Sequence, residues 1–233
     1  MDNIIQIAHR GYVPICKARE NTLFAFKNAI ENNFDMIELD IQLCKSNEII
    51  IYHDTHIPYN GKLTTLQKLT LDEIQQVNPY VITLEKFINT IDISENIKLY
   101  IDIKGITNMI IKPLIDLLYD NYSSFQNIIL GSFNRNHLIE LEKYNKDLTI
   151  NDEYYINTGF ITQNIFPIYD LMIILKNINY IITHWTMLDN DTITYCKTKK
   201  IKIYCYTVKN KDIIEYIKKF NIDGIVSDIK LTK

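Results

Sequence analysis

Glycine, proline and cysteine are scarce in this sequence, with 6, 5 and 4 copies among 233 residues. So little glycine and proline excludes collagen-like and low-complexity architectures. The four cysteines form no CxxC pair and are too widely spaced for a disulfide framework or a zinc site. We therefore expect a protein of a reducing compartment.

The sequence also lacks an excess of basic residues and a long uninterrupted apolar run. Lys and Arg number 25 against 28 Asp and Glu, so no nucleic-acid partner is predicted. The N-terminus has no basic segment followed by an apolar stretch, which argues against a secretory signal. The most apolar region, 165–182, is interrupted by charged and amide side chains, so no transmembrane segment is predicted. These absences predict a cytoplasmic location and leave transient contact with a membrane surface open.

What the sequence does contain is an alternation of short apolar runs with longer stretches of helical spacing. Eight runs of strand length occur, at residues 4–8, 36–39, 98–103, 127–131, 148–150, 180–183, 202–206 and 224–226. Apolar residues at helical intervals separate most of them, for example at 22–30, 109–118, 137–144, 168–175 and 213–220. This alternation predicts an α/β fold with a parallel sheet, and eight units in slightly under about 250 residues indicate a closed (β/α)8 TIM barrel. Because no linker rich in Gly, Pro or Ser divides the chain, we predict a single domain over residues 1–233.

One apolar run, 48–52, does not fit the alternation, because it follows Asp40 too closely for a parallel crossover of about a dozen residues. We interpret residues 41–52 as a hairpin that rises from the second strand and returns. The hairpin would bring His53 beside Asp40 at the mouth of the barrel. The next segment, 55–83, shows no clear periodicity and is predicted to be a lid or a small insertion.

Polar residues cluster at the predicted C-terminal ends of strands, where a barrel of this type carries its chemistry. Such residues are costly to bury without a purpose. Residues at i and i+2 of a strand point to the same face, so these side chains would converge on one cavity. The four segments are His9-Arg10-Gly11, Glu38-Leu39-Asp40, His53-Asp54 and Asp102-Ile103-Lys104.

The residue types at these ends indicate a site for a phosphoryl group. Glu38, Asp40 and Asp102 offer only oxygen ligands, a set typical of a hard divalent cation, Mg²⁺ or Ca²⁺. A cation would also relieve the repulsion among the three carboxylates. Arg10 can bind an oxyanion through two hydrogen bonds, and Lys104 adds a point charge.

Two histidines stand beside these charges. His9 and His53 form a general acid and base pair suited to a pH near neutral. Trp185 follows the sixth predicted strand, so it is a candidate apolar wall of the substrate pocket. Together these residues predict hydrolysis or transfer at a phosphodiester.

The order of these motifs resembles that of the glycerophosphodiester phosphodiesterase family, which is related to the phospholipase C-like phosphodiesterase TIM barrels. The likeness extends over most of the chain and rests first on HRG, ENT, ExD, HD and a strand that ends in an acidic residue, one spacer and Lys. Later segments add to it, namely TLE at 83–85, SF at 132–133, YTV at 206–208 and DGIVSD at 223–228. Each motif alone is weak evidence for the family, whereas the order and spacing of the motifs together are strong evidence for it.

What the resemblance implies is a barrel enzyme that cleaves a small-molecule glycerophosphodiester into glycerol 3-phosphate and an alcohol. The residues that it implies are Glu38, Asp40 and Asp102 for the metal, His9 and His53 for proton transfer, Arg10 and Lys104 for the phosphate, and Tyr206 for the substrate pocket. Here Asp102 replaces a usual Glu and Tyr206 a usual Trp, and PENT is Arg19-Glu20-Asn21-Thr22. The type of reaction is therefore more firmly indicated than the substrate.

Two other functions remain open. One is an enzyme of the same fold that acts on lipids, as a lysophospholipase D or a sphingomyelinase D does, and an apolar surface around the pocket would favour it. The other is a non-catalytic barrel that only binds phosphorylated ligands, but the presence of all seven site residues argues against it, because such a module has no need for both histidines. Near the N-terminus, Asn21 or Thr22 is expected to cap the first helix, and Glu20 to pack there or to contact the site.

Overall fold

The computed structural model describes residues 4–14, 19–93, 97–147 and 152–231. Its strands are β1 (Ile5–Ala8), β2 (Met36–Leu43), β3 (Ile49–Ile51), β4 (His56–Tyr59), β5 (Lys62–Thr65), β6 (Ile82–Thr83), β7 (Lys98–Ile103), β8 (Ile128–Ser132), β9 (Asn157–Thr162), β10 (Tyr180–His184), β11 (Lys202–Val208) and β12 (Gly224–Ser227). Its helices are α1 (Leu23–Glu31), α2 (Leu71–Val77), α3 (Leu84–Ile88), α4 (Ile111–Asn121), α5 (Arg135–Asp147), α6 (Ile168–Ile174), α7 (Asn190–Thr198) and α8 (Lys211–Ile217). None of the helices in these ranges has the length and apolar character that crossing a bilayer requires.

Eight of the strands close into a parallel barrel. Their order around it is β1, β2, β7, β8, β9, β10, β11 and β12, and β12 pairs again with β1. Ile7 of β1, for example, lies opposite Met36 of β2 on one side and opposite Val226 of β12 on the other. Helices separate successive barrel strands along the chain. The predicted (β/α)8 fold is thus confirmed.

Inside the barrel, each of its eight strands contributes one buried side chain to an apolar cluster. Four of them, Tyr100, Ile161, Ile182 and Val226, also form the floor of a cavity at the mouth. A larger apolar core packs the outer face of the sheet against the helices, with Phe26 of α1 edge-on to Phe87 of α3 at 4.9 Å between ring centroids. Because the interior is packed below the floor, chemistry is confined to the C-terminal ends of the strands.

The predicted hairpin is confirmed. Strand β2 runs beyond the barrel, so Ile41 pairs in parallel with Ile103 of β7 and antiparallel with Ile51 of β3. Strand β6 then adds to the other side of β3.

The segment after the hairpin, predicted to be a lid or an insertion, is a small insertion with its own core. The β4–β5 hairpin and α2, whose N-terminus has a capping box of Thr70 and Glu73, pack around the end of β2. The buried residues of this core are Cys44, Ile50, Ile57, Leu66, Leu69, Ile74 and Val81. No residue of the insertion is among those that line the cavity at the mouth.

The fifth barrel strand differs from the prediction. It is β9, which pairs with β8 and β10, and not 148–150, which lies outside the described residues. In β9 the buried positions include Thr158, Gly159 and Thr162, so its continuous apolar run is only two residues long. Because threonine and glycine interrupt its apolar run, the hydrophobic pattern of the sequence could not identify β9 as a strand.

Candidate active site

The first barrel strand ends in a tight turn that brings Arg10 to the mouth. Arg10 and Gly11 both adopt left-handed backbone conformations, with φ of 54° and 78°. A Cβ at position 11 would lie 2.6 Å from the backbone of Ala25, so α1 can pack against this turn only because the residue is glycine. The backbone N–H of Arg10 donates to Oε2 of Glu38 at 2.7 Å. The HRG turn is thereby tied to the acidic residues of β2.

Glu38, Asp40 and Asp102 lie together on β2 and β7, and Asp40 is directly opposite Asp102. All three are at most 5% exposed, and one carboxylate oxygen of each lies within 4.8 Å of the others. Oδ1 of Asp102 is buried and has no hydrogen-bond partner among the described residues. Because a buried carboxylate oxygen needs a partner, three converging oxygen donors with one unsatisfied atom fit a hard divalent cation.

Two cations of the chain border this acidic cluster. Nζ of Lys104 lies 2.9 Å from Oδ1 of Asp40 and 2.5 Å from Oδ2 of Asp102. Nε of Arg10 lies 3.2 Å from Oδ2 of Asp40 without the alignment of a hydrogen bond, whereas its Nη1 donates to Oε1 of Glu20 at 2.5 Å. The guanidinium is therefore held between two carboxylates and keeps its charge, since its pKa is raised despite burial.

The three carboxylates differ in how well their charges are compensated. Burial acts to raise the pKa of Asp40, but Lys104 and Arg10 outweigh it and leave that pKa lowered. Burial prevails over Lys104 at Asp102 and raises its pKa to about 6. The pKa of Glu38 is raised well above its usual range by burial and then by its two acidic neighbours. The cluster is thus short of positive charge, which is the condition that a bound divalent cation relieves.

Asn21 supports the cluster from the segment before α1. Its φ is 56°, its Nδ2 donates to Oδ2 of Asp40 at 2.7 Å, and its Oδ1 accepts from the backbone N–H of Asp40 at 3.3 Å. The cap of α1 is Thr22, one of the two residues expected there. The contact of Asn21 with Asp40 was not predicted, because it depends on how the loop between β1 and α1 folds over β2.

Both predicted histidines line the cavity, and each is held by a carboxylate. Nδ1 of His9 lies 2.7 Å from Oδ1 of Asp228, directly after β12, and Nδ1 of His53 lies 2.7 Å from Oδ1 of Asp54. A carboxylate at Nδ1 fixes the tautomer and leaves Nε2 as the nitrogen that exchanges protons. Asp228 was missed as a partner of His9, although it closes the DGIVSD segment and so ends the strand beside β1.

The backbone around His53 is held by Gln42, a residue outside the predicted site. Gln42 is 4% exposed, and its Nε2 donates to the carbonyl oxygens of Tyr52, His53 and Asp54 at 2.8, 3.1 and 2.8 Å. The two protons of the Gln42 side-chain amide are thus shared among three carbonyl oxygens just beyond the end of β3. The one signal in the sequence was its position two residues after Asp40, which puts both side chains on one face of β2.

The other half of the cavity is aromatic. The cavity measures about 470 Å³, and its aromatic side is lined by Phe133, His184, Trp185 and Tyr206. The ring of Tyr206 stands nearly perpendicular to those of Phe133 and His184, at centroid distances of 6.2 and 5.7 Å. Trp185 and Tyr206, the two residues predicted for the substrate pocket, are therefore at the cavity wall. One cation, Lys209, also lines this side.

A sequence model of the Glycerophosphoryl diester phosphodiesterase family matches residues 9–230. A glycerophosphodiester phosphodiesterase of Caldanaerobacter subterraneus subsp. tengcongensis is 26% identical over 255 residues, which cover 95% of this chain and 93% of the relative.

Solved structures resemble the fold. The glycerophosphodiester phosphodiesterase of Thermotoga maritima has a TM-score of 0.76 at 21% identity, with 97% of this chain and 94% of that chain covered. A phosphodiesterase of Oleispira antarctica, solved in complex with the product sn-glycerol-3-phosphate, has a TM-score of 0.76 at 21% identity, with 96% and 92% covered.

Proposed function

Because this chain is a phosphoric diester hydrolase of the glycerophosphoryl diester phosphodiesterase family, we propose that it cleaves glycerophosphodiesters to glycerol 3-phosphate and an alcohol with the help of one divalent cation and two histidines. The observation that carries this proposal is the convergence of His9 and His53 with three buried carboxylates on one cavity. A module that only bound phosphate would have no use for two histidines whose tautomers are fixed by carboxylates.

The residues that would hold the cation are Glu38, Asp40 and Asp102. The support is their mutual distance and the unsatisfied Oδ1 of Asp102. When bound, Mg²⁺ or Ca²⁺ supplies positive charge beside the non-bridging oxygens of the phosphate. Asn21 keeps Asp40 oriented for this task through its two hydrogen bonds.

The phosphate itself is bound by Arg10 and Lys104. Both line the cavity, and the pKa of Lys104 is raised by Asp102 and Asp40 despite burial, so the ammonium stays charged. Their charges are already in place before the reaction, and they stabilise the negative charge that develops on the non-bridging oxygens. Trp185 and Tyr206 hold the organic part of the substrate against the aromatic side of the cavity.

Proton transfer is the work of His9 and His53. An alkoxide leaving group has a high pKa and must be protonated as the P–O bond breaks, while the attacking hydroxyl must lose its proton. One histidine does each, and we assign the acid role to His53 on the family resemblance. The attacking hydroxyl comes from water or from the glycerol of the substrate, and the same two residues serve either route.

The test is the release of glycerol 3-phosphate from a panel of glycerophosphodiesters with and without a chelator. We expect turnover with Mg²⁺ or Ca²⁺, loss of turnover in the chelator, and recovery when the metal is restored. Asp40→Asn should lower kcat by at least about 10²-fold, because it removes charge from the cluster that orders the site. The matched control is Asp120→Asn on the exposed face of α4, which should leave kcat unchanged.

Two outcomes would contradict the proposal. Full activity in excess chelator would exclude the role of the cation. A folded, metal-loaded protein that releases no glycerol 3-phosphate from any member of the panel would exclude this substrate class.

A further inference from the structure

The floor of the catalytic cavity contains a polar side chain that the proposed reaction does not use. Three of the four floor residues are aliphatic, whereas the fourth, Tyr100, ends in a hydroxyl. Tyr100 is only 3% exposed, and its hydroxyl has no hydrogen-bond partner within residues 4–14, 19–93, 97–147 and 152–231. Because a buried hydroxyl needs a partner, one that lies at the bottom of a ligand cavity is expected to find it in the ligand.

The position of this hydroxyl depends on Gly131 of β8. Tyr100 and Asp102 are two residues apart on β7 and point to the same face, and Asp102 lies opposite Gly131. A Cβ at position 131 would lie 2.6 Å from Cε2 of Tyr100 and 3.2 Å from its hydroxyl oxygen. The ring therefore extends over β8 into space that a side chain at 131 would fill. The absence of that side chain lets the hydroxyl reach the level of Asp102.

The surroundings of the hydroxyl suit the glycerol arm of the substrate better than the phosphate. Arg10 and Lys104 provide the positive charges for a phosphate in this cavity. A single neutral hydroxyl among aliphatic side chains instead matches an uncharged group made of carbon and hydroxyls. The central hydroxyl of glycerol stays close to the phosphorus in any pose, whereas the terminal hydroxyl is the polar group of this arm farthest from it. The terminal hydroxyl is therefore the one that can reach the floor.

We propose that Tyr100 is a specificity-determining residue, whose hydroxyl forms a hydrogen bond with the terminal hydroxyl of the glycerol arm on the floor of the cavity. The inference rests on the proposed function, because it names the part of that substrate that the floor recognises. A phenolic hydroxyl both donates and accepts, so it pairs with an alcohol in either sense. An arm without the terminal hydroxyl is rejected, since it leaves Tyr100 unpaired among aliphatic side chains.

The experiment compares a glycerophosphodiester with an analogue in which hydrogen replaces the terminal hydroxyl of the glycerol arm. Both carry the same alcohol, whose release is followed in the presence of the cation that supports turnover. The unaltered protein should prefer the intact substrate by about 10- to 100-fold in kcat/KM. Tyr100→Phe, which keeps the ring over Gly131, should reduce this preference to less than about threefold. On the analogue alone, Tyr100→Phe should be at least as active as the unaltered protein, because it carries no unpaired hydroxyl.

The matched control is Tyr204→Phe. Tyr204 belongs to the same buried cluster, is 4% exposed, and has its ring 2.7 Å from where a Cβ of Gly224 would be. It does not line the cavity, and its ring packs against that of Tyr180 at 5.1 Å between centroids. Tyr204→Phe should therefore keep the full preference for the terminal hydroxyl.

Three results would overturn the inference. The unaltered protein shows no preference for the terminal hydroxyl, or Tyr100→Phe keeps the preference even where its overall rate falls, or Tyr204→Phe loses the preference to the same extent. The second result would make Tyr100 a structural residue, and the third would assign the effect to packing inside the barrel. Failure of the proposed function is a different result, because the unaltered protein would then hydrolyse neither compound.

Discussion

The two sides of the barrel mouth differ in how their side chains are held. On β1, β2 and β7, charged groups are buried or half-buried and nearly all are fixed by a partner, as Lys104 is between Asp40 and Asp102. On β8 to β11, the lining is aromatic and its rings contact one another, as Phe133 and Tyr206 do. Charges buried in fixed geometry suit one reaction, whereas an apolar wall adapts to several ligands. We therefore propose that the charged side sets the chemistry and that the aromatic side sets the range of substrates.

The charged side also depends on unusual backbone conformations. Arg10 and Asn21 both have positive φ, with values of 54° and 56°. Each such non-glycine residue costs about 1 kcal/mol or more, and the surrounding contacts must hold it in place. In return, Arg10 presents both its backbone N–H and its guanidinium to acidic residues. The two strained residues are therefore ones that contact the buried carboxylates of the site.

The sharpest test of the comparison removes the two histidines, which we assign to the charged side. His9→Ala and His53→Ala should each reduce kcat by at least about 10²-fold, the usual loss for one general acid or base. A substrate with a leaving group of low pKa should rescue only the variant that lacks the acid, which we expect to be His53→Ala. His56→Ala, three residues further along and exposed, is the control. Equal losses without rescue would mean that both histidines bind substrate or metal and carry no proton.

Gln42→Leu should have the next largest effect, because it removes the donor for three carbonyls around His53. We expect kcat to fall about tenfold with KM unchanged, since a small displacement of a proton carrier weakens catalysis without affecting substrate binding. The same activated substrate should restore this variant as it restores His53→Ala.

The control for Gln42 is Gln75→Leu in the insertion, whose Nε2 donates to the carbonyl oxygen of Val81. Both variants remove hydrogen bonds to partly buried carbonyls, so each should lose about 1 kcal/mol of stability or more. Only Gln42→Leu should lose activity. A tenfold loss in Gln75→Leu as well would make the effect of Gln42 one of stability alone.

On the aromatic side, Trp185→Ala should raise KM about three- to tenfold with little change in kcat, because the ring contributes binding that is equal in the ground and transition states. Tyr216→Ala, which removes the ring that Trp185 packs against at 5.6 Å but does not line the cavity, is the comparison. Steady-state kinetics on the best substrate of the panel measures both constants. A loss of kcat in Trp185→Ala equal to that of a histidine variant would contradict the assignment of catalysis to the charged side and of substrate binding to the aromatic side.

The smallest effect is on stability in the absence of metal. In the folded protein, burial and then the acidic neighbours raise the pKa of Glu38. The free energy of unfolding therefore falls as pH rises from the unfolded pKa of this carboxyl, near 4.5, toward its folded pKa, and it stays lower above the folded pKa. Glu38→Gln should remove that penalty and raise the melting temperature of the chelated protein at pH 8 by about 2 to 4 °C, or about 1 kcal/mol. The gain should vanish at pH 4. A lower melting temperature at pH 8 would show that the charge of Glu38 is compensated within the protein.

Much of the fold could be predicted from the sequence because hydrophobic periodicity and chain length report on local structure. The alternation of strands and helices, the hairpin after β2 and the closed barrel all follow from such patterns, and the structure confirms them. Strand β9 escaped because threonine and glycine interrupt its apolar run while its neighbours bury it on both sides. Burial by neighbouring strands is a property of the tertiary fold, so it produces no recognisable pattern in the sequence of β9.

For the site, the sequence by itself determined which chemistry is available, because His9, Arg10, Glu38, Asp40, His53, Asp102 and Lys104 all stand at strand ends, and strand ends of a parallel barrel meet at one mouth. It did not determine the contacts of Asn21, Gln42 and Asp228, since each joins side chains or carbonyls from separate elements. Nor did it determine the hydrogen bond from Asn134 to the carbonyl oxygen of Ile106, because the loops after β7 and β8 are adjacent only through the neighbouring positions of these strands in the barrel. Pattern along a chain reports which residues share a face of one strand or helix, whereas contacts between elements depend on the distance and angle at which the folded chain packs them.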